Sequence, residues 1–397
     1  MDGTPRRAGR SSPEEERIPF TYEFRVPAGQ GAERLDVWLA RMLPHASRTK
    51  VQRAIESGHV SVNGRTSKPS YRIRPGDLIT CTVYRLPPME LLPEPIPLDI
   101  VYEDAYLMVI NKPAGLPTHP GIGHRRGTVV NAVLHHLGLR QPIRIETELG
   151  DEEEDEGALF SSEAVRPGIV HRLDKDTSGL LLIVKDAALH AVLSEQFAQR
   201  RIHREYLALV WGRMPEKADS SQRVILERRG HGIIDAPIGR SPRNRKAFAV
   251  VPSGKPARTE YWVLEEYPIV SFLRLRLHTG RTHQIRVHLS WVGHPVVGDP
   301  LYGGDAIRVT PPEPRWRRCA ERCLSFLSRQ ALHAYRLSFL HPVTRQWIEC
   351  EAPLPPDMEA AIAELRMTAQ ETELQSPGAG RQCVQPDGEF LPAARCR

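Results

Sequence analysis

Long apolar runs are missing from this chain of 397 residues. The longest, such as Leu180 to Val184, are far too short to cross a bilayer, so no membrane association is expected. The segment Met1 to Pro19 is polar and charged and has no apolar h-region, which argues against a secretory signal and for a cytoplasmic protein. No cysteine pair has C-x-x-C spacing. The six cysteines are scattered at 81, 319, 323, 350, 383 and 396, and Cys319 and Cys323 lack a second ligand pair, so free thiols are expected. Glycine-rich phosphate loops are missing too. Six histidines (His119, His124, His135, His136, His283 and His288) suggest a metal site, but their placement does not complete one. His135 and His136 are neighbours in a helix and diverge. Gln284 to His288 alternates like a strand, on which His283 and His288, five apart, take opposite faces. No metal is expected. Nor does charge of one sign dominate: 54 Lys and Arg against 48 Asp and Glu give +6, which permits a polyanionic partner without demanding one.

What is present divides the chain. Residues 1–19 and 371–397 read as disordered tails with little to bury. Residues 20–86 read as a compact basic module. A strand is expected from Phe20 to Val26, then a helix from Leu35 to Met42 that Pro44 ends. Ser47 would cap a second helix that Gly58 closes. Asn63-Gly64 marks a tight turn between strands. Between Arg34 and Asp77 nine Lys or Arg face three Asp or Glu. Residues 87–98 are proline-rich and read as a linker. Residues 99–370 form the larger domain, interrupted at 138–167 by a surface insertion that carries the acidic run Asp151 to Glu156. No regular βαβ alternation appears, so the fold class is α+β with a mixed, mainly antiparallel sheet.

The sharpest segment is His171-Arg172-Leu173-Asp174-Lys175-Asp176-Thr177-Ser178-Gly179, which feeds the apolar strand Leu180 to Val184. It places a carboxylate beside cations at the edge of a core. Read alone, that is a salt bridge or a catalytic acid. The string resembles the signature of the RluA-type pseudouridine synthases. So do Asn111-Lys112-Pro113-Ala114-Gly115-Leu116 with His119-Pro120-Gly121, and Arg204-Glu205-Tyr206 followed by Ala208, Val210 and Gly212. Thr279-Gly280-Arg281-Thr282-His283-Gln284-Ile285-Arg286-Val287-His288, Gly298-Asp299-Pro300-Leu301-Tyr302-Gly303 and Arg329-Gln330-Ala331-Leu332-His333-Ala334 continue the match in order. Several ordered blocks carry more weight than one short motif.

The resemblance implies an isomerase that detaches uracil from its ribose, turns it, and rejoins it through carbon 5. Nothing is oxidised or hydrolysed, so no cofactor is implied. Asp174 would either attack C1′ or take the proton from C2′. Arg286 would pair with it and keep it ionised, and Tyr206 would contact the base and help remove its carbon 5 proton. Arg172 would fill the stack that the flipped base leaves.

The basic module resembles the alpha-L RNA-binding motif through Arg34-Leu35-Asp36, Ser47 to Gln52, Gly58-His59-Val60 and Val62-Asn63-Gly64. Arg48, Lys50, Arg53 and Arg65 would then meet phosphates, which positions an enzyme without reading bases. Gly298-Asp299-Pro300 and His119-Pro120-Gly121 look most like the RluD branch. That implies large-subunit ribosomal RNA, free or in a pre-ribosomal particle, as partner of a monomeric enzyme. Two alternatives stay open: a catalytically idle RNA-binding assembly factor on the same fold, and a glycoside hydrolase, which needs a second carboxylate for which Asp176 is the nearest candidate.

Overall fold

The computed structural model describes residues 18–43, 48–85, 89–120, 126–145, 168–215, 223–244, 246–375 and 395–396. The expectations for Met1 to Glu16, Ser47, the acidic run 151–156 and residues 376–394 lie outside them. The chain divides into two compact units, 1–90 with 144–151 and 91–143 with 152–397.

The first unit contains β1 (Ile18–Arg25), α1 (Leu35–Met42), α2 (Arg48–Glu56), β2 (Val60–Val62), β3 (Arg65–Thr66) and β4 (Leu78–Arg85). Its four strands form an antiparallel sheet in the order β1-β4-β2-β3. Leu35, Trp38 and Leu39 from α1 recur at helical spacing. They bury against Val51 and Ile55 of α2 and against Val60 and Ile79 of the sheet, each burial stabilising by about 1.5–3 kcal/mol. The Asn63-Gly64 turn has positive φ at both residues, 52° and 76°, as a two-residue hairpin of this twist requires. The Asn63 side chain ties the turn to Asp77 and to the Leu78 N–H. β1 starts two residues before the module's expected edge, inside the stretch read as tail.

β5 (Met89–Leu91) and β8 (Ile143–Ile145) each span the division between the units, and the second unit otherwise contains β6 (Ile100–Glu103), β7 (Leu107–Lys112), α3 (Val129–His136), β9 (Gly168–Ile169), β10 (Ser178–Val184), α4 (Ala187–Ala198) and β11 (His203–Trp211). Next come β12 (Ile225–Arg228), β13 (His231–Asp235), β14 (Ile238–Arg240), β15 (Phe248–Val250), β16 (Arg258–Glu266) and β17 (Val270–Leu277). It ends with α5 (Gln284–Trp291), α6 (Pro314–Phe326), β18 (Leu332–Leu340), β19 (Trp347–Glu351), α7 (Pro356–Gln375) and β20 (Arg395–Cys396). The main sheet runs β12-β13-β16-β17-β11-β18-β10-β7-β6. It is mixed and mainly antiparallel, as expected. Among the described residues its parallel pair is β10 with β18. Every residue of β10 is buried, which is why its sequence reads as a continuous apolar run.

Three expectations need adjustment. The proline-rich stretch contains β5, which pairs with β8. Beyond it, Asn131 of α3 holds the chain by donating to the Leu92 carbonyl and accepting from the Glu94 N–H through its own carbonyl. Helix α7 runs to Gln375, past the expected start of the tail. Cys81, Cys319 and Cys323 are free, whereas Cys350 is disulfide-bonded; strand pairing sets its backbone opposite Cys396, which spacing in sequence does not reveal.

Candidate active site

Asp174 lies in the turn that enters β10, with the Thr177 N–H closing back on the Asp174 carbonyl at 3.1 Å. Distant blocks hold this turn in place. Lys112, at the end of β7 and wholly buried, donates to the carbonyls of Pro113, Leu116 and Lys175, each at 2.9 Å. Three carbonyls match the three N–H groups of one ammonium. Burial nevertheless draws its pKa down to about 7, with Asp174 and Asp176 opposing. Thr118 Oγ1 donates to the Leu173 carbonyl at 2.8 Å, and Arg329 Nη1 to the Asp176 carbonyl at 3.1 Å. The Leu182 N–H donates to His171 Nε2 at 2.9 Å. Gly179 is obligatory here. Its φ is +111°, and a Cβ would stand 2.2 Å from the Ala334 carbonyl oxygen, because β18 passes directly alongside.

Arg286 reaches Asp174 from helix α5. This corrects the expected alternating strand. Gln284 to Leu289 are all buried, so the helix shows no polar face, and its polar–apolar order imitates period two. Gln284 anchors the first turn by accepting from Thr279 Oγ1 and the Arg281 N–H and donating to the Arg258 carbonyl and Thr259 Oγ1. Arg286 then divides its guanidinium. Nε and Nη2 grip the fully buried Asp299 carboxylate at 2.6 and 2.9 Å, and Nη1 donates to Asp174 Oδ2 at 2.9 Å. Its guanidinium carbon lies over the Tyr302 ring, 5.0 Å from the centroid. The planar fork allows both engagements; a lysine could not reproduce them.

The electrostatics follow from this arrangement. Burial pushes the Asp174 carboxyl up, but the Arg286 guanidinium, by its charge and its hydrogen bond, helps bring it below its ordinary value. Burial lowers the Arg286 pKa, and its two carboxylates more than restore it. His283 Nε2 lies 3.8 Å from Asp174 Oδ1, and burial holds its pKa below the usual histidine value. Asp174 therefore sits ionised at neutral pH and lines a cleft, with Oδ2 bonded to Arg286.

That cleft is open to solvent. Arg172, Asp174, Arg204, Tyr206, His283 and Arg286 are among its lining residues. Arg172 is exposed, and Tyr206 is buried on β11. A register shift between Glu205 and Tyr206 interrupts the regular pairing with β18 at this tyrosine.

The family described as RNA pseudouridylate synthase matches residues 106–291, and the family described as S4 domain matches residues 33–79. A protein of Chloroflexus aurantiacus named "Uncharacterized RNA pseudouridine synthase" is 46% identical over 342 residues, covering 86% of this chain and 92% of its own. The chain belongs to the RNA pseudouridylate synthase family. It is an RNA-modifying isomerase. A Nitrosomonas europaea relative named "Ribosomal large subunit pseudouridine synthase D" is 40% identical over 347 residues, 87% of this chain and 88% of that one. Among solved structures, "Human RNA Pseudouridylate Synthase Domain Containing 1" is 26% identical, covers 68% of this chain and 89% of that one, and gives a TM-score of 0.45.

As a pseudouridylate synthase, the chain brings four of the expected site residues, Asp174, Tyr206, Arg286 and Arg172, to one cleft. The other four belong to the S4 unit. Arg53 and Arg65 are exposed there. Arg48 is half-exposed but directs Nε to Asp36 Oδ2 at 3.0 Å. Asp36 is a fully buried carboxylate that also takes a forked contact from Arg34 and a bond from Gln52. The Arg34 hydrogen bond leads in holding its pKa low. Arg48 thus stabilises the fold with part of its guanidinium. The Lys50 side chain lies outside the described residues. Asp299, Lys112, Tyr302 and His283 had no role assigned from sequence. All four stand in the matched blocks, so position was the available signal, but only proximity in space gives it meaning. Among the described residues no group of three or more His, Cys, Asp or Glu could hold a metal ion. His288 instead bonds Thr259 Oγ1 and the Ala236 carbonyl.

Proposed function

We propose that this enzyme forms pseudouridine in a stem-loop of large-subunit ribosomal RNA, in the cytoplasm, acting as a monomer on free RNA or on a pre-ribosomal particle. One observation carries the assignment of chemistry: Arg286, clamped by buried Asp299, gives its remaining nitrogen to Asp174 at 2.9 Å. A carboxylate held this way stays charged and fixed, as a group acting on a sugar must. Asp174 would meet C1′ or the C2′ proton with its second oxygen, while the glycosidic bond breaks and the uracil turns. Tyr206 would face the freed base and take part in removing the carbon 5 proton once carbon 5 is joined to the sugar. Arg172, at the exposed edge of the cleft, would enter the space that the extruded base vacates. Arg53, Arg65, Lys50 and the exposed part of Arg48 would track phosphates.

Support for ribosomal RNA comes from the name of the Nitrosomonas relative and from the basic S4 unit. The test is tritium release from transcripts made with 5-tritiated uridine, comparing large-subunit ribosomal RNA with transfer RNA. Release from the ribosomal transcript without free uracil is expected. Release from transfer RNA alone would redirect the substrate, and free uracil would indicate hydrolysis.

A further inference from the structure

His283 is a polar ring in the cleft that none of these roles uses. It precedes α5 with its backbone in the left-handed region, at φ +57°. For a residue with a Cβ this costs on the order of 1 kcal/mol and persists where the surroundings impose it. The ring is fixed at its other nitrogen. Tyr302 Oη accepts the Phe248 N–H at 3.0 Å and lies 2.8 Å from His283 Nδ1, to which we assign its phenol O–H as donor. A neutral imidazole that accepts at Nδ1 carries its proton at Nε2. The Phe248 and Tyr302 rings meet it edge-on, at 5.7 and 5.6 Å between centroids. The Nε2–H therefore stands 3.8 Å from Asp174 Oδ1, the oxygen that Arg286 leaves open. That gap is too long for a hydrogen bond and wide enough for one substrate atom to lie against both groups.

Asp174 meets either C1′ or the hydrogen on C2′. These carbons are bonded to each other, and the 2′-oxygen is bonded to the second. A donor beside the reacting oxygen is thus a neighbour of the 2′-hydroxyl on either route. We propose that His283 Nε2–H donates to the 2′-hydroxyl oxygen of the target uridine, seating the ribose against Asp174 and distinguishing RNA from DNA at that nucleotide. This rests on the reading of Asp174 as the carboxylate that acts at the sugar.

The test uses the full chain and a ribosomal stem-loop with a mapped target, made with either ribose or 2′-deoxyribose at that single uridine. Single-turnover rates and Kd are measured for wild type, His283→Ala and His283→Gln, after thermal melts establish that each is folded. Wild type should lose about tenfold on the deoxy substrate, the upper range for one neutral hydrogen bond. His283→Ala should lose a similar factor on ribose and no longer distinguish the sugars. His283→Gln, whose amide nitrogen falls near the position of Nε2, should recover part of the distinction. Where the deoxy rate falls below detection, the same ratio is read from Kd. A His283→Ala variant that is slower on both sugars by one factor and keeps the wild-type ratio overturns the inference, as does a wild type indifferent to the 2′-hydroxyl. Failure of the underlying reading appears separately, as undiminished pseudouridine formation by Asp174→Asn on the ribose substrate.

Discussion

Asp299 decides where Arg286 points. Its carboxylate takes Nε and Nη2 of Arg286 and also the N–H groups of Leu301 and Tyr302, at 3.0 and 3.2 Å. Asp299→Asn keeps the shape but turns one oxygen into a donor facing a guanidinium. One charge-assisted bond is lost, worth about 1.5–3 kcal/mol, and a buried cation loses half of its compensation. Breaking a buried pair outright costs about 3–5 kcal/mol. The retained amide oxygen puts this variant near the lower bound, at about 3 kcal/mol less stable. The loosened fork should also let Nη1 leave Asp174, reducing single-turnover tritium release roughly 10–100-fold, equivalent to about 1.4–2.7 kcal/mol of transition-state stabilisation. Urea denaturation and quench-flow on the same preparation measure both effects. A variant that unfolds at the wild-type midpoint and reacts at the wild-type rate would refute the clamp.

Other expectations follow from the same geometry. Gly179→Ala would drive a Cβ into the β18 backbone at a positive φ, and thermal melts should show a loss above about 3 kcal/mol or no folded protein. Burial draws the pKa values of His171, His288 and His333 down to about 3, 4 and 4. Protonation is suppressed in the fold and free in the unfolded chain, so their contribution is complete above about pH 6.5 and is lost as pH falls toward the folded values. Stability should drop by up to about 2 kcal/mol per ring between pH 7 and 5, above the range where carboxylates protonate. Equilibrium denaturation across those pH values measures it. Arg53→Ala should weaken RNA binding uniformly across sequences and reduce the salt slope by about one, read by filter binding over a salt series.

The sequence was most legible where short-range rules apply. Gly58, Asn63-Gly64 and the helix over Leu35 to Met42 follow from caps, turn chemistry and spacing. The ordered blocks disclosed the family and the cleft residues. What stayed hidden is long-range. The order β11-β18-β10 and its parallel pair cannot be read from local pattern, yet they bring Arg329, His333 and Ala334 against the Asp174 turn. Asp299 and Arg286 are separated by thirteen residues and read as parts of unrelated blocks until α5 faces them together. A helix buried on every side loses the amphipathic signal, which is why Gln284 to His288 resembled a strand. The Arg48 contact with Asp36 was hidden because nothing in the spacing distinguishes an arginine that meets phosphate from one that neutralises a buried carboxylate.

The central claim is that Asp174 acts at the sugar of the target uridine. Asp174→Asn keeps the size of the side chain and an acceptor for Arg286 while removing the ionised oxygen. Single-turnover tritium release from 5-tritiated ribosomal RNA, with RNA affinity measured on the same protein, tests the claim directly. The expected result is no detectable release with affinity retained. Release at a rate near wild type would contradict it.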